Sequence, residues 1–368
     1  MVPSSSTVTP FPSSTGSCNM ESSVNCSSLR GLKGKEDTVE HLQVLLRQEA
    51  SYPPCADYLS VAEASALHGE LVSEAWRRKL CEWCYEVVDH FGFDREVVSI
   101  ALNYLDRAVG ARVAASGSSM GKRDFQLLAV TSLYMAIKIH GECDDPNSPR
   151  RKLRIDAFVE LSRNFFQVET IEATEREILD SLGWRVNAPS CLRFVAAFLR
   201  LIPRWTTDDK AHSNYMGGMF DIARYLTELS VCVSTFSFTA KTSVVAYSAI
   251  LCANEALQAT VAMPYDVRVI MQNNVAEATG LLPNDPQVLR VKSLLKELCP
   301  DMFQDSDMPV QLLAGVGSSQ NLEQEALDSP SGKTSPVSVV DGPQEPYQGR
   351  KRSRTADASQ RRLQRSNF

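Results

Sequence analysis

The chain has 368 residues, 43% of them hydrophobic and 22% charged, and a formal net charge of −6. That length suggests two or three domains, with ample apolar surface for their cores. The acidic balance argues against a general nucleic-acid binder, and no apolar run nears the roughly 18 residues of a membrane span.

Residues 1–36 are rich in Ser, Thr and Pro, show almost no apolar periodicity and open with no basic, then apolar leader. They read as a disordered tail. Residues 37–187 read as a first helical domain with a preceding helix, and residues 188–300 as a second. Helical spacing appears at Trp83, Val87, Val88 and Phe91, then at Val97, Ile100, Ala101, Tyr104, Leu105 and Ala108, with Asp94 placed as N-cap of the latter. The run from Phe125 to Ile139, FQLLAVTSLYMAIKI, is apolar on all sides and reads as a central helix wrapped by others. Phe158, Leu161 and Phe165 mark another helix, and a further one spans about Glu169 to Leu182, ending at Gly183. After NAPS the pattern restarts, and KTSVVAYSAILCA is again an apolar middle helix. Two sets of about five helices, each with its most apolar member third, make an all-α chain with a weak internal repeat. Residues 301–368 read as a second disordered tail, acidic first and basic at its end.

Of ten cysteines, only Cys81 and Cys84 have a C-x-x-C spacing, and no second pair follows at zinc-ribbon distance. They read as reduced thiols packing as small hydrophobes, so neither a metal nor a cofactor is expected. A reducing, soluble compartment follows.

Two charges sit out of place. Lys138 is the one charged residue in the apolar run, and an isolated buried ammonium costs several kcal/mol unless paired. It either snorkels at the helix end, favoured by the helix dipole, or serves an interface. Glu175 lies beside the stripe of Ile171, Ile178, Leu179 and Leu182 and also wants a partner. The two either form a plain intramolecular salt bridge or face a partner protein.

The ordered segments WRRKLCEWCYEVVDHF, VSIALNYLDRAV, FQLLAVTSLYMAIKI and ATEREILDSLGWRVNAPSCLRFV resemble the cyclin box. With LLRQEASYPPCADYL before them, they are similar in style to plant D-type cyclins, over about Glu40 to Leu298. The resemblance implies two five-helix repeats and an activating subunit of a cyclin-dependent kinase, with no catalytic group of its own. It implies that Lys138 and Glu175 contact the kinase. It also implies a docking patch for Arg-x-Leu substrates or inhibitors at Trp76, Arg77, Leu80, Trp83 and Glu86, with Gln126 as polar partner. Trp83 and Leu80 read equally well as core. Trp76 stands where the family has a smaller apolar residue and Lys79 where an apolar one is usual, and the L-x-C-x-E string of many D-type cyclins is absent. Control of cell-cycle progression, at G1/S entry, follows from the resemblance alone.

Ser148 precedes Pro149 and two arginines, a candidate proline-directed phosphorylation site, as are Ser329 and Ser335 in the acidic tail. The cluster Arg350, Lys351, Arg352 and Arg354 reads as a nuclear import signal, placing the chain in nucleus and cytoplasm, or as a nonspecific nucleic-acid contact. Neither membrane nor direct nucleic-acid binding is expected of the folded part. The rival reading is a cyclin-fold transcription factor or scaffold. It wants basic folded faces and a zinc ribbon, and the chain shows neither. An enzyme would need a phosphate-binding or nucleophile motif, and neither G-x-x-x-x-G-K-[ST] nor G-x-S-x-G occurs.

Overall fold

Apolar residues three and four apart put one greasy face on each segment, and burying those faces together gives a purely helical architecture. The structure is a computed structural model and describes residues 23–52, 55–63, 71–141, 153–258 and 262–303, with side chains from Gly34 onward except those of 61–63. Among the described residues the helices are α1 (Ser23–Ala50), α2 (Tyr58–Glu63), α3 (Glu74–Phe91), α4 (Glu96–Ser116), α5 (Lys122–His140), α6 (Ile155–Leu161) and α7 (Val168–Ser181). Then come α8 (Cys191–Leu199), α9 (Asp209–Val231), α10 (Ser234–Thr239), α11 (Thr242–Leu257), α12 (Tyr265–Thr279) and α13 (Pro286–Leu298). A single antiparallel bridge joins Leu71 to Gly121.

The first repeat is α3 to α7 around α5, as the apolar run predicts. Phe125, Val130, Leu133, Met135 and Ala136 of α5 are fully enclosed. Each large side chain so buried contributes about 1.5–3 kcal/mol. Local signals set the ends. The Ser73 hydroxyl accepts from Trp76 N at 3.3 Å to open α3, and Gly92, at φ 69°, closes it in the left-handed conformation glycine adopts without strain. Asp94 does cap α4: its Oδ1 accepts from Glu96 N at 2.7 Å.

The second repeat wraps α8, α9 and α13 around α11, whose Val244, Ala246, Tyr247, Ala249, Cys252 and Ala253 are buried, and α12 joins the same core packed against α1. Here the structure differs from the sequence reading in two places. Helix α1 opens at Ser23, inside the stretch read as a tail. It also packs Leu42 and Leu45 into the second core, although it precedes the first repeat. Glu49 on α1 accepts from both Ser243 N and Ser243 Oγ at 2.7 Å, satisfying the start of α11, and Lys35 Nζ reaches Asn274 Oδ1 on α12 at 2.7 Å. The short α10 falls where the sequence pattern runs straight into α11. Except for Asp301–Phe303, which continue the chain beyond α13, the predicted tail from residue 301 lies outside the described residues.

The repeats meet through α3 and α4 on one side and α9 and α10 on the other. At the centre Arg77 is wholly enclosed and grips Asp106 with two bonds, Nε to Oδ1 at 2.9 Å and Nη2 to Oδ2 at 2.7 Å. Arg77 also donates to Val231 O at 3.0 Å and Ser237 Oγ at 3.2 Å, and Tyr58 OH donates to Asp106 Oδ1 at 2.7 Å. Burial opposes the guanidinium's charge, but the Asp106 carboxylate outweighs it and raises the Arg77 pKa further. Around this ion pair, Glu74 Oε1 accepts from Ser234 N, Tyr85 OH donates to Glu228 O, and Arg95 pairs with Glu228.

Candidate functional site

The apolar run carries its ammonium in the last turn of α5, where the helix dipole favours a cation. Lys138 is not buried: half of its side chain, 50%, stays exposed. Its Nζ reaches Glu175 Oε1 at 2.9 Å and Oε2 at 3.2 Å, and it lies 5.3 Å from the Tyr134 ring centre. The Glu175 side chain is 16% exposed, on α7, which packs beside α5. The bond to Glu175 raises the lysine pKa, against a smaller opposing effect of burial. The predicted pairing is therefore present. With its lysine half-exposed to solvent, the pair is worth about 0–1 kcal/mol to stability.

Two large apolar side chains near the ends of α5 and α7 are exposed. Ile139, next in the chain, is 46% exposed, and Trp184, just past α7, is 69% exposed. Trp184 sits at φ 60°, left-handed backbone that costs a non-glycine residue about 1–2 kcal/mol, with its N bonded to Leu179 O at 2.9 Å. Two residues on, Val186 O accepts from Tyr104 OH and lies 3.3 Å from His140 Nε2, tying the end of α7 to the end of α5. Lys138, Ile139, Glu175 and Trp184 thus belong to one end of the first repeat. Ile139 and Trp184 were not singled out from the sequence. The signal for Trp184 was a tryptophan placed directly after the helix-ending Gly183.

The docking-patch residues are placed differently from one another. Arg77 is fully enclosed in its ion pair with Asp106 inside the first repeat, because only a carboxylate could offset a buried guanidinium there. Leu80, Trp83 and Gln126 are also buried, as the core reading of Leu80 and Trp83 has it. Trp76 is half-buried, with Lys79 Nζ 5.8 Å and Lys122 Nζ 5.3 Å from its ring centre, and Glu86 is exposed. The indole nitrogens of Trp76 and Trp83 are enclosed with no hydrogen-bond acceptor. The phosphorylation candidates Ser148, Ser329 and Ser335 and the import cluster Arg350, Lys351, Arg352 and Arg354 lie outside the described residues. Among the described residues no group of three or more metal-ligating side chains converges, and no helix is long and apolar enough to cross a membrane.

Comparison with known proteins bears on this geometry. Residues 40–187 match the model of the cyclin N-terminal domain, which holds both Lys138 and Glu175. That segment of the chain is similar to a cyclin N-terminal domain. The chain is 29% identical over 175 residues to cyclin-D4-1 of Oryza sativa subsp. japonica, covering 48% of this chain and 46% of that relative. To cyclin-D2-1 of the same species it is 30% identical over 42% of this chain and 45% of the relative. To cyclin-A1-2 of Arabidopsis thaliana it is 25% identical over 45% and 32%. The matched segments therefore span less than half the length of these relatives. A viral cyclin from herpesvirus saimiri has a similar fold, with a TM-score of 0.51 over 71% of this chain and 97% of that one, at 14% identity. Both D-type and A-type cyclins stand among the relatives, and the fold is the all-α cyclin fold.

Proposed function

We propose that this chain is a cyclin and the activating subunit of a cyclin-dependent protein kinase, held through the face that carries Lys138, Ile139, Glu175 and Trp184. The observation that carries the reading is the Lys138–Glu175 pair, with its lysine half-exposed, at the same end of the first repeat as exposed Ile139 and Trp184. A charged pair at the end of a repeat that also exposes apolar side chains offers a partner both area to desolvate and charge-assisted hydrogen bonds for its backbone. Activation then follows from differential binding. A chain that binds the kinase's active arrangement more tightly shifts it toward that arrangement, and moving a 1:99 population to 99:1 takes about 10⁴-fold, or about 5.5 kcal/mol, of preference. All catalytic groups belong to the kinase.

Entry into the cell cycle at G1/S, action in the nucleus through Arg350, Lys351, Arg352 and Arg354, and control through phosphorylation at Ser148, Ser329 or Ser335 are parts of the same proposal. Docking of Arg-x-Leu segments takes a weaker place in it. The ammonium groups of Lys79 and Lys122 beside Trp76 oppose an incoming arginine, and most of the patch is enclosed.

The test is capture of a panel of cyclin-dependent kinases by the full chain, followed by a histone-kinase assay on what is retained. Retained and activated kinase supports the reading, and replacing Lys138 and Glu175 together by Ala is expected to abolish capture with helicity and melting nearly unchanged. A folded chain that captures no kinase shifts the weight to a cyclin-fold scaffold or transcription factor. Capture that survives the double replacement makes the pair structural.

A further inference from the structure

Two thiols far apart in sequence meet where the repeats join. Cys81 on α3 is buried, and Cys232, at the end of α9, is half-buried. Both are free, and their sulfurs lie 3.3 Å apart across a sequence separation of 151 residues. The fold holds them there: Arg77 Nη1 bonds Val231 O at 3.0 Å, and Tyr85 OH bonds Glu228 O at 3.0 Å, so α3 and the end of α9 are fastened beside the contact. Closing from this contact to a sulfur–sulfur bond of about 2.05 Å asks for a small local movement.

The surroundings separate the two thiols chemically. The bond from the Cys81 thiol, with the guanidinium groups of Arg77 and Arg78, holds Cys232 below the ordinary thiol range against burial and the Glu82 carboxylate. The same bond and burial push Cys81 up, and burial pushes up the adjacent thiol of Cys84 and the phenol of Tyr85. Cys232 is thus the less enclosed and the more readily ionised of the two thiols, and Cys81 stands behind it in the core.

We propose that Cys81 and Cys232 are a peroxide-responsive pair that closes as a reversible disulfide between the two repeats. The Cys232 thiolate attacks one oxygen of hydrogen peroxide; the O–O bond breaks, hydroxide leaves and takes a proton to become water, and Cys232 is left as the sulfenic acid. Cys81 then gives up its proton, and its sulfur attacks that of Cys232. The S–O bond breaks, the departing oxygen takes the proton, and a second water leaves. The thiols together lose two electrons, and peroxide is reduced to two waters. A dithiol reverses the bond by exchange. The proposal does not depend on kinase binding.

The experiment is to expose the reduced full chain to hydrogen peroxide, denature and alkylate it, and map the digest by mass spectrometry. The expected result is a Cys81 peptide joined to a Cys232 peptide, lost on treatment with dithiothreitol, with Cys84 and Cys252 recovered alkylated. Cys232→Ser removes the linkage. Cys81→Ser leaves a sulfenic acid at Cys232 that a cyclic 1,3-dione probe captures. Recovery of Cys81 alkylated after peroxide, its linkage to Cys84 instead, or oxidation of Cys232 to sulfinic acid with Cys81 untouched overturns the proposal. The wild-type map decides the matter by itself should the core substitution Cys81→Ser fail to fold.

Discussion

Arg77 and Trp184 show that single residues here answer to different pressures. Replacing Arg77 with Met strands the Asp106 carboxylate in the interior, and we expect a loss of about 3–5 kcal/mol, read from denaturant unfolding. Removing the charge at Asp106 as well should recover part of that loss; a double variant no better than the single one would count against this account. Trp184→Gly should act in reverse. It relieves a left-handed backbone and gives up little burial, so melting should hold or rise while kinase capture falls. A drop in melting temperature would show that the indole supports the fold. Protonation adds a third case. The pKa of Lys138 is raised above its ordinary 10.5, so its small contribution is complete below that pH and fades as pH rises through the folded value. Glu255 runs the other way. Burial pushes its pKa up, but bonds from Lys292 and Lys296 outweigh that and bring it below 4.5. Its contribution is present above pH 4.5 and fades as pH falls through the lower value. Acid titration of melting should therefore be shallower in a Glu255→Gln variant than in the parent.

Among the elements, α5 and α11 were the easiest to foresee, because a helix that is apolar all round has only one place to go. The ends of α4 and α7 were legible from Asp94 and Gly183 for the same local reason. The destination of α1 was not. Leu42 and Leu45 announce an amphipathic face, but such a face does not name the surface that covers it. We expect Leu42→Ala to cost about 2–5 kcal/mol, and Glu49→Ala about 1 kcal/mol through the uncapped start of α11, both measured on the full chain. A negligible effect of both would mean that α1 adds nothing to the second core. Arg77 was misleading at this scale, since the resemblance puts it in a docking patch and the fold encloses it against Asp106. Its partner sits in NYLDR, a string that carried the family resemblance without disclosing the ion pair.

Across the whole molecule, the sequence shows two repeats but not the seam between them. The candidate site was partly visible, because Lys138 and Glu175 each broke an apolar pattern. Ile139 breaks none and only exposure in three dimensions marks it, while Trp184 had no more than its place after Gly183. Cys81 and Cys232 lie too far apart for any spacing rule to join them. The seam is polar, with Arg77, Asp106, Glu74, Tyr85, Arg95 and Glu228 at its contacts, so the repeats are coupled by directional bonds more than by a shared apolar core.

The placement of α1 has a consequence in time. During synthesis the first repeat can condense as soon as it leaves the ribosome, since its core is drawn from its own residues. Lys35 and Asn274 are 239 residues apart, which at roughly 5–20 residues per second is a wait of about 10–50 s. For that interval α1 carries Leu42 and Leu45 without the surface they will finally cover, and it offers a chaperone an apolar face to hold.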